Sequence, residues 1–125
     1  MKGKILLKPL LFISFLVTCL MLNAQGFINK TIQYDGLTRE YSIYVPASYD
    51  GNTNFPLLFN LHGGGGNIAS HIGIADMSPI ADTANFIVVY PQARPDPSDG
   101  NSFNWISKVP GTFDDVPFFS SLIDT

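Results

Sequence analysis

The sequence predicts an α/β fold: an antiparallel hairpin followed by parallel strands with flanking helices. Three observations predict it. "REYSIYVP" alternates apolar and polar residues, the period of a strand with two different faces. "FPLLFNL" and "NFIVVYP" are nearly unbroken apolar runs, the pattern of strands covered on both faces. Between those runs lies a glycine-rich segment with helix signals, too long for a hairpin loop and suited to a crossover between parallel strands.

The chain of 125 residues opens with "MKGKILLKPLLFISFLVTCLMLNAQG". Lys2, Lys4 and Lys8 lead into an apolar run from Leu10 to Leu22, and the small Ala24 precedes Gln25. This is the charge, core and small-residue pattern of a secretory signal peptide. The run falls short of the roughly 20 residues that a spanning helix needs. Residues 1–24 are expected to be removed, leaving 25–125 as one domain outside the cytoplasm, extracellular or periplasmic. Cys19, the single cysteine, sits inside the apolar run with "LML" beyond it and reads as part of the signal segment rather than as a lipid acceptor. The remainder then has no cysteine for a disulfide or a thiolate metal site.

Beyond residue 24 stand Lys30, Arg39, Arg94 and Lys108 against all ten acidic residues, a formal net charge of −6. Nothing basic clusters, so the footprint of a nucleic-acid-binding surface is missing. No metal site and no cofactor is expected.

In "KTIQYDGLTREYSIYVP", Ile32 and Tyr34 share a strand face and Asp35-Gly36 marks a tight turn. Tyr41, Ile43 and Val45 then share one face, with Ser42 and Tyr44 on the other, until Pro46 ends the run. Leu57, Leu58, Phe59 and Leu61 form the first buried strand, and Phe86 to Tyr90 the second. Between them Ser78 suits an N-cap and Pro79 the first helical position, with Ile80, Ala81 and Ala84 as the packing face. "QARPDPSDGNSFNWISKVPG" reads as a long surface loop, and Trp105 within it as either a plug or a wall against substrate. Last comes a helix capped by Asp114 or Asp115, with Pro117 in its first turn and Val116, Phe119 and Ile123 along one face. With only two covered parallel strands, Phe59, Val88, Phe118 and Phe119 are expected to be underburied.

The glycines of "LHGGGGNIAS" follow the first buried strand. A phosphate loop would need a lysine and a hydroxyl residue after them, and no lysine lies between Lys30 and Lys108. A dinucleotide fingerprint needs spaced glycines rather than an unbroken run. No nucleotide partner is therefore expected. An oxyanion loop fits: converging backbone N–H groups meet the charge of a tetrahedral intermediate without reorganising, and glycine lets the backbone bend and approach closely. Gly64 is the first candidate donor and Gly65 the second. Gly63 and Gly66 would shape the turn, and His62 would lock the loop rather than act as a base.

"YSIYVPASYDGNTNFPLLFNLHGGGGN", "MSPIADTANFIVVYPQA", "NSFNW" and "DDVPFFSSLID", in this order, resemble the N-terminal half of the secreted polyhydroxybutyrate depolymerase and feruloyl esterase group, serine esterases of the α/β-hydrolase superfamily. The resemblance runs over about residues 30–124 and is carried by the ordered set rather than by one motif. It implies the N-terminal portion of an α/β-hydrolase sheet, an ester substrate such as a polyester or a feruloylated polysaccharide, and acyl transfer through a Ser-His-Asp triad. The oxyanion loop falls on His62 to Gly66. Asp114, Asp115 and Val116 fall at the start of the helix before the nucleophile strand, and Trp105 matches a tryptophan of the preceding loop. The pattern departs in one respect: no G-x-S-x-G occurs in the 125 residues, and the only histidines are His62 and His71. The chain is therefore expected to be the incomplete, oxyanion-bearing front of an esterase, inactive by itself. The competing expectations are an inactive remnant or a carbohydrate-binding module that stacks sugars on Tyr34, Tyr41, Tyr44, Tyr49 and Trp105.

The leader reading is open to direct test. N-terminal sequencing of exported protein is expected to begin at or near Gln25; a mature chain that begins at Met1, or at a lipid-modified Cys19, contradicts it.

Overall fold

The computed structural model describes residues 26–105 and 114–125. The leader assigned to residues 1–24 and Lys108 lie outside the described residues. Four strands form the main sheet: β1 (Phe27–Tyr34), β2 (Leu37–Tyr44), β3 (Leu57–Phe59) and β4 (Ile87–Pro91), in the order β1-β2-β4-β3. β2 pairs antiparallel with β1 on one side and β4 on the other, and β3 runs parallel to β4. Helices α1 (Ile68–Ile74) and α2 (Ser78–Ala84) make the crossover from β3 to β4, and α3 (Val116–Ile123) follows later in the chain. This is the expected antiparallel hairpin followed by parallel strands with flanking helices.

The hairpin register comes from the turn. Tyr34 faces Leu37 across two residues, Asp35 and Gly36, both at positive φ (50° and 70°). That turn carries the twist that matches right-handed strands. With the register fixed, period-2 alternation sorts side chains onto two faces. Ile32, Tyr34, Tyr41, Ile43, Phe59 and Val89 pack with Phe118, Phe119 and Leu122 of α3. Phe27, Tyr44, Val88 and Tyr90 pack with Ile68, Ile72, Met77 and Ala81 of the crossover. The sheet is thus the middle of three layers. Tyr44 donates its hydroxyl to the Asp82 carboxylate (2.9 Å to each oxygen), and burial beside that carboxylate raises its pKa.

α3 is oriented by charge. Asp115, its N-cap residue, is buried and accepts from Arg39 Nη2 at 3.0 Å, and Arg39 is only 5% exposed. The same Nη2 donates to the Gln92 carbonyl at 3.0 Å, and the guanidinium carbon lies 3.8 Å from the centre of the Phe118 ring. Burial lowers the Arg39 pKa, and Asp115 opposes that shift. This contact turns Asp115, Phe118 and Leu122 toward the sheet. Val116 and Ile123, expected on the packing face, are instead exposed: a polar residue at the cap shifted the face in a way that apolar spacing alone does not register. Phe118 and Val88 are fully buried, because α3 and the crossover helices cover the two faces of the sheet, whereas Phe59 and Phe119 are half-buried as expected.

Other expectations are corrected too. Leu57 and Leu58 are not covered on both faces; β3 has one strand neighbour among the described residues, and they are 38% and 36% exposed. In α2 only Ala81 is buried, whereas Ile80 and Ala84 face solvent, and the N-cap residue is Met77 rather than Ser78. The loop after β4 contains a small antiparallel pair, β5 (Arg94–Asp96) and β6 (Ser102–Asn104). The tyrosines give no sugar-stacking platform: Tyr41 and Tyr44 are buried, Tyr34 packs on Phe118, and Tyr49 packs on Phe55.

Truncating Arg39 to Ala removes the guanidinium from its buried pairing with Asp115 and from the Gln92 carbonyl, and is expected to cost about 3–5 kcal/mol in denaturant unfolding. Arg39→Met with Asp115→Leu should recover most of that loss, since apolar replacement of a buried pair is often neutral. A cost near zero for Arg39→Ala contradicts the assigned role of the pair.

Candidate active site

The glycine run occupies the carboxyl end of the parallel pair. In open α/β sheets ligands bind in the crevice outside these strand ends. Gly66 N–H donates to the Gly63 carbonyl at 3.0 Å, which closes a four-residue turn, and Gly65 at its third position has φ of 70°. A β-carbon is disfavoured there. At Gly66 a β-carbon would stand 3.0 Å from the Gly63 oxygen and 3.2 Å from His62 Nδ1. α1 follows at once, opened by a capping box in which Asn67 Oδ1 accepts from Ser70 N–H and Ser70 Oγ lies 3.4 Å from Asn67 N. α1 is not among the elements expected from the sequence, although "NIAS" carries this cap.

His62 is 3% exposed and both of its ring nitrogens are occupied. Nδ1 lies 2.7 Å from the Gly63 carbonyl oxygen, which can only accept. Nε2 lies 3.1 Å from Ala93 N–H, which can only donate, and 2.9 Å from Gln92 Nε2. These partners assign the proton to Nδ1 and the lone pair to Nε2. Neither nitrogen is left to face a substrate, and the ring acts as a brace of the loop. Trp105 seals it: its indole donates to the His62 carbonyl at 2.8 Å, and its ring packs at a tilt against His62 and Phe119 at centroid distances of 5.0 and 5.5 Å. Of the two roles open to Trp105, these contacts are those of a plug.

The donors of the loop differ in what they reach. Gly65 N–H donates to the Phe103 carbonyl of β6 at 2.9 Å, and Gly66 N–H is held within the turn. Gly63 and Gly64 N–H make no hydrogen bond among the described residues. The Gly63–Gly64 peptide is planar and trans. Its carbonyl is drawn inward by two donors, Gly66 N–H and His62 Nδ1–H. The Gly64 N–H on the opposite edge of that plane therefore points away from the loop interior. The structure separates the two candidate donors: Gly65 is engaged with Phe103 and Gly64 is not.

Gln92, given no role from the sequence, joins these parts. Its side chain reaches His62, Gly66 and the first helical N–H of α1 at Ile68. The only signal for it was position: a polar residue directly after a buried strand, in "YPQ". Two clefts, of about 800 Å³ and about 490 Å³, share Asn67, Gln92 and Glu40 in their linings. His71 is elsewhere in function: its Nε2 pairs with Asn60 Oδ1 at 2.8 Å. Among the described residues no serine hydroxyl is hydrogen-bonded to a histidine.

No family model matches the chain, and no curated protein is significantly similar to it. Solved structures do resemble it. A ferulic acid esterase superposes with a TM-score of 0.59 at 18% identity, over 80% of this chain and 41% of that one. A fluorophosphonate-binding serine hydrolase of Staphylococcus aureus, solved with substrate bound, gives 0.49 at 14% identity, over 80% and 39%. The chain spans about two-fifths of the length of these structures. At such identity the likeness to the ferulic acid esterase concerns the fold, which is that of part of an α/β-hydrolase.

The glycines should separate by position. Gly63→Ala meets open space and is expected to stay within about 0.5 kcal/mol of the parent. Gly65→Ala forces a β-carbon into left-handed backbone and should cost about 1–2 kcal/mol. Gly66→Ala collides with the loop itself and should also melt earlier than Gly63→Ala. Equal melting of all three variants contradicts the turn described here.

Proposed function

We propose that these residues form the oxyanion side of a secreted serine esterase of the polyhydroxybutyrate depolymerase and feruloyl esterase group. The observation that carries this reading is the outward Gly64 N–H, at the carboxyl end of β3, on a peptide whose carbonyl is tied down by His62 and Gly66. Attack of a serine on an ester carbonyl makes an oxyanion, and a fixed backbone donor lowers that barrier because it need not reorganise. In this reading Gly64 supplies one donor, and the residue after the nucleophile supplies the second. Gly63 and Gly66 shape the turn, His62 and Trp105 hold it, and Gly65 anchors it to β6. The substrate is a carboxylic ester, either a polyester or a feruloylated polysaccharide; the fold likeness to a ferulic acid esterase supports the second.

The 125 residues contain no G-x-S-x-G and no serine–histidine pair among those described. The purified chain is therefore expected neither to turn over an activated aryl ester nor to be labelled by a serine-directed phosphonate; stoichiometric labelling contradicts this. In the enzyme that joins these residues to a nucleophile, Gly64→Pro removes the donor and should lower kcat roughly a hundredfold or more. Gly64→Ala keeps the N–H and should lose far less, although its β-carbon lies 3.1 Å from Asn104 Oδ1 and must shift that side chain. A folded Gly64→Pro enzyme with parental kcat contradicts the assignment.

A further inference from the structure

We propose that Gln92 is the positioning residue of the oxyanion loop, holding both ends of it so that the Gly63–Gly64 peptide keeps its orientation. The catalytic consequence rests on the esterase reading above; the positioning itself rests on geometry alone. Gln92 is the first residue after β4 and is 8% exposed. Oε1 accepts from Ile68 N–H at 3.0 Å, at the rear of the loop. Nε2 lies 2.9 Å from His62 Nε2 at the front, and 3.4 Å from the Gly66 carbonyl behind the turn. One carboxamide thus spans the segment from His62 to Ile68.

Its mounting is rigid. Gln92 N–H donates to the Glu40 carbonyl at 2.9 Å, and its own carbonyl accepts from Arg39, which is held in turn by Asp115. The route to Gly64 is short. Gln92 and Ala93 present donors to His62 Nε2, which keeps the proton on Nδ1, and Nδ1–H then grips the Gly63 carbonyl. The position requires an amide. One end must accept from Ile68 and the other must donate to Gly66 and His62; a carboxylate cannot donate, and a thioether does neither well.

The test uses the full chain, labelled with nitrogen-15, as Gln92→Met and Gln92→Glu. In Gln92→Met the Val88 and Val89 amides should stay protected, while Ile68 N–H exchanges roughly two- to tenfold faster, the range a lost hydrogen bond gives. The Gly64 amide and His62 ring resonances should shift. Gln92→Glu keeps an acceptor for Ile68, so exchange there should stay near parental while the Gly64, Gly66 and His62 signals move. Packing alone does not produce that split. Unmoved Gly64 and His62 signals in a folded Gln92→Met chain overturn the proposal, as does the same response at Ile68 in both variants. If Gln92→Met does not fold, the contrast within Gln92→Glu decides. Loss of the sheet in both variants assigns Gln92 to stability and overturns it too. The two readings fail separately. A displaced loop with unchanged kcat in the active enzyme removes the oxyanion role and leaves the positioning; an unmoved loop removes the positioning and leaves the oxyanion role to the Gly64 variants.

Discussion

The site depends on one planar unit, the peptide between Gly63 and Gly64. A trans peptide carries its carbonyl and its N–H on opposite edges, so fixing one edge aims the other. The Gly63 carbonyl accepts from Gly66 N–H at 3.0 Å and from His62 Nδ1–H at 2.7 Å. Both donors lie on the loop side, which leaves Gly64 N–H turned outward. The glycine run permits this: a side chain at Gly66 would occupy the space in which the Gly63 oxygen and the His62 ring meet. The histidine is therefore better understood as part of the backbone's hydrogen-bonding than as a reacting group.

The loop is held by the main sheet and by the β5–β6 pair through three contacts of different kinds. Gln92, at the end of β4, supplies a two-ended polar clamp. Phe103 and Trp105, at and beside β6, grip the loop from the other side through the Gly65 N–H and the His62 carbonyl. Arg39 ties the Gln92 backbone to Asp115 at the start of α3, so the helix on one face of the sheet and the loop at its end share a buried cation. Buried polar networks of this kind are strong only when their members are satisfied together. That explains why so many of the polar side chains around the site reach backbone atoms.

What the sequence disclosed follows from which signals are local. The Asp35-Gly36 turn and the alternation of β2 are readable because a two-residue turn and a period of two suffice to fix them. The glycine run was readable as a tight turn after a strand because glycine alone tolerates the left-handed backbone and close approach found at Gly65 and Gly66. Gln92 was not readable, because its role arises only when residues from β2, β4 and the β3–α1 loop converge. The packing face of α3 was misplaced for the same reason: its rotation is set by Arg39, far away in sequence, rather than by the spacing of its own apolar residues. β5 and β6 were hidden inside a segment rich in turn residues, each only three residues long. Leu57 and Leu58 read as doubly covered because apolar runs report composition, and coverage depends on which neighbours a strand has.

The donor role proposed for Gly64 can be measured as a distance. The decisive experiment is the structure of the proposed esterase, these residues joined to a serine nucleophile, with that serine phosphonylated so that one phosphonyl oxygen stands in for the oxyanion. Gly64 N is expected about 2.7–3.1 Å from that oxygen, with Gly65 N still bound to the Phe103 carbonyl. An oxygen beyond hydrogen-bonding reach of Gly64, or one held by Gly65 after release from Phe103, contradicts it.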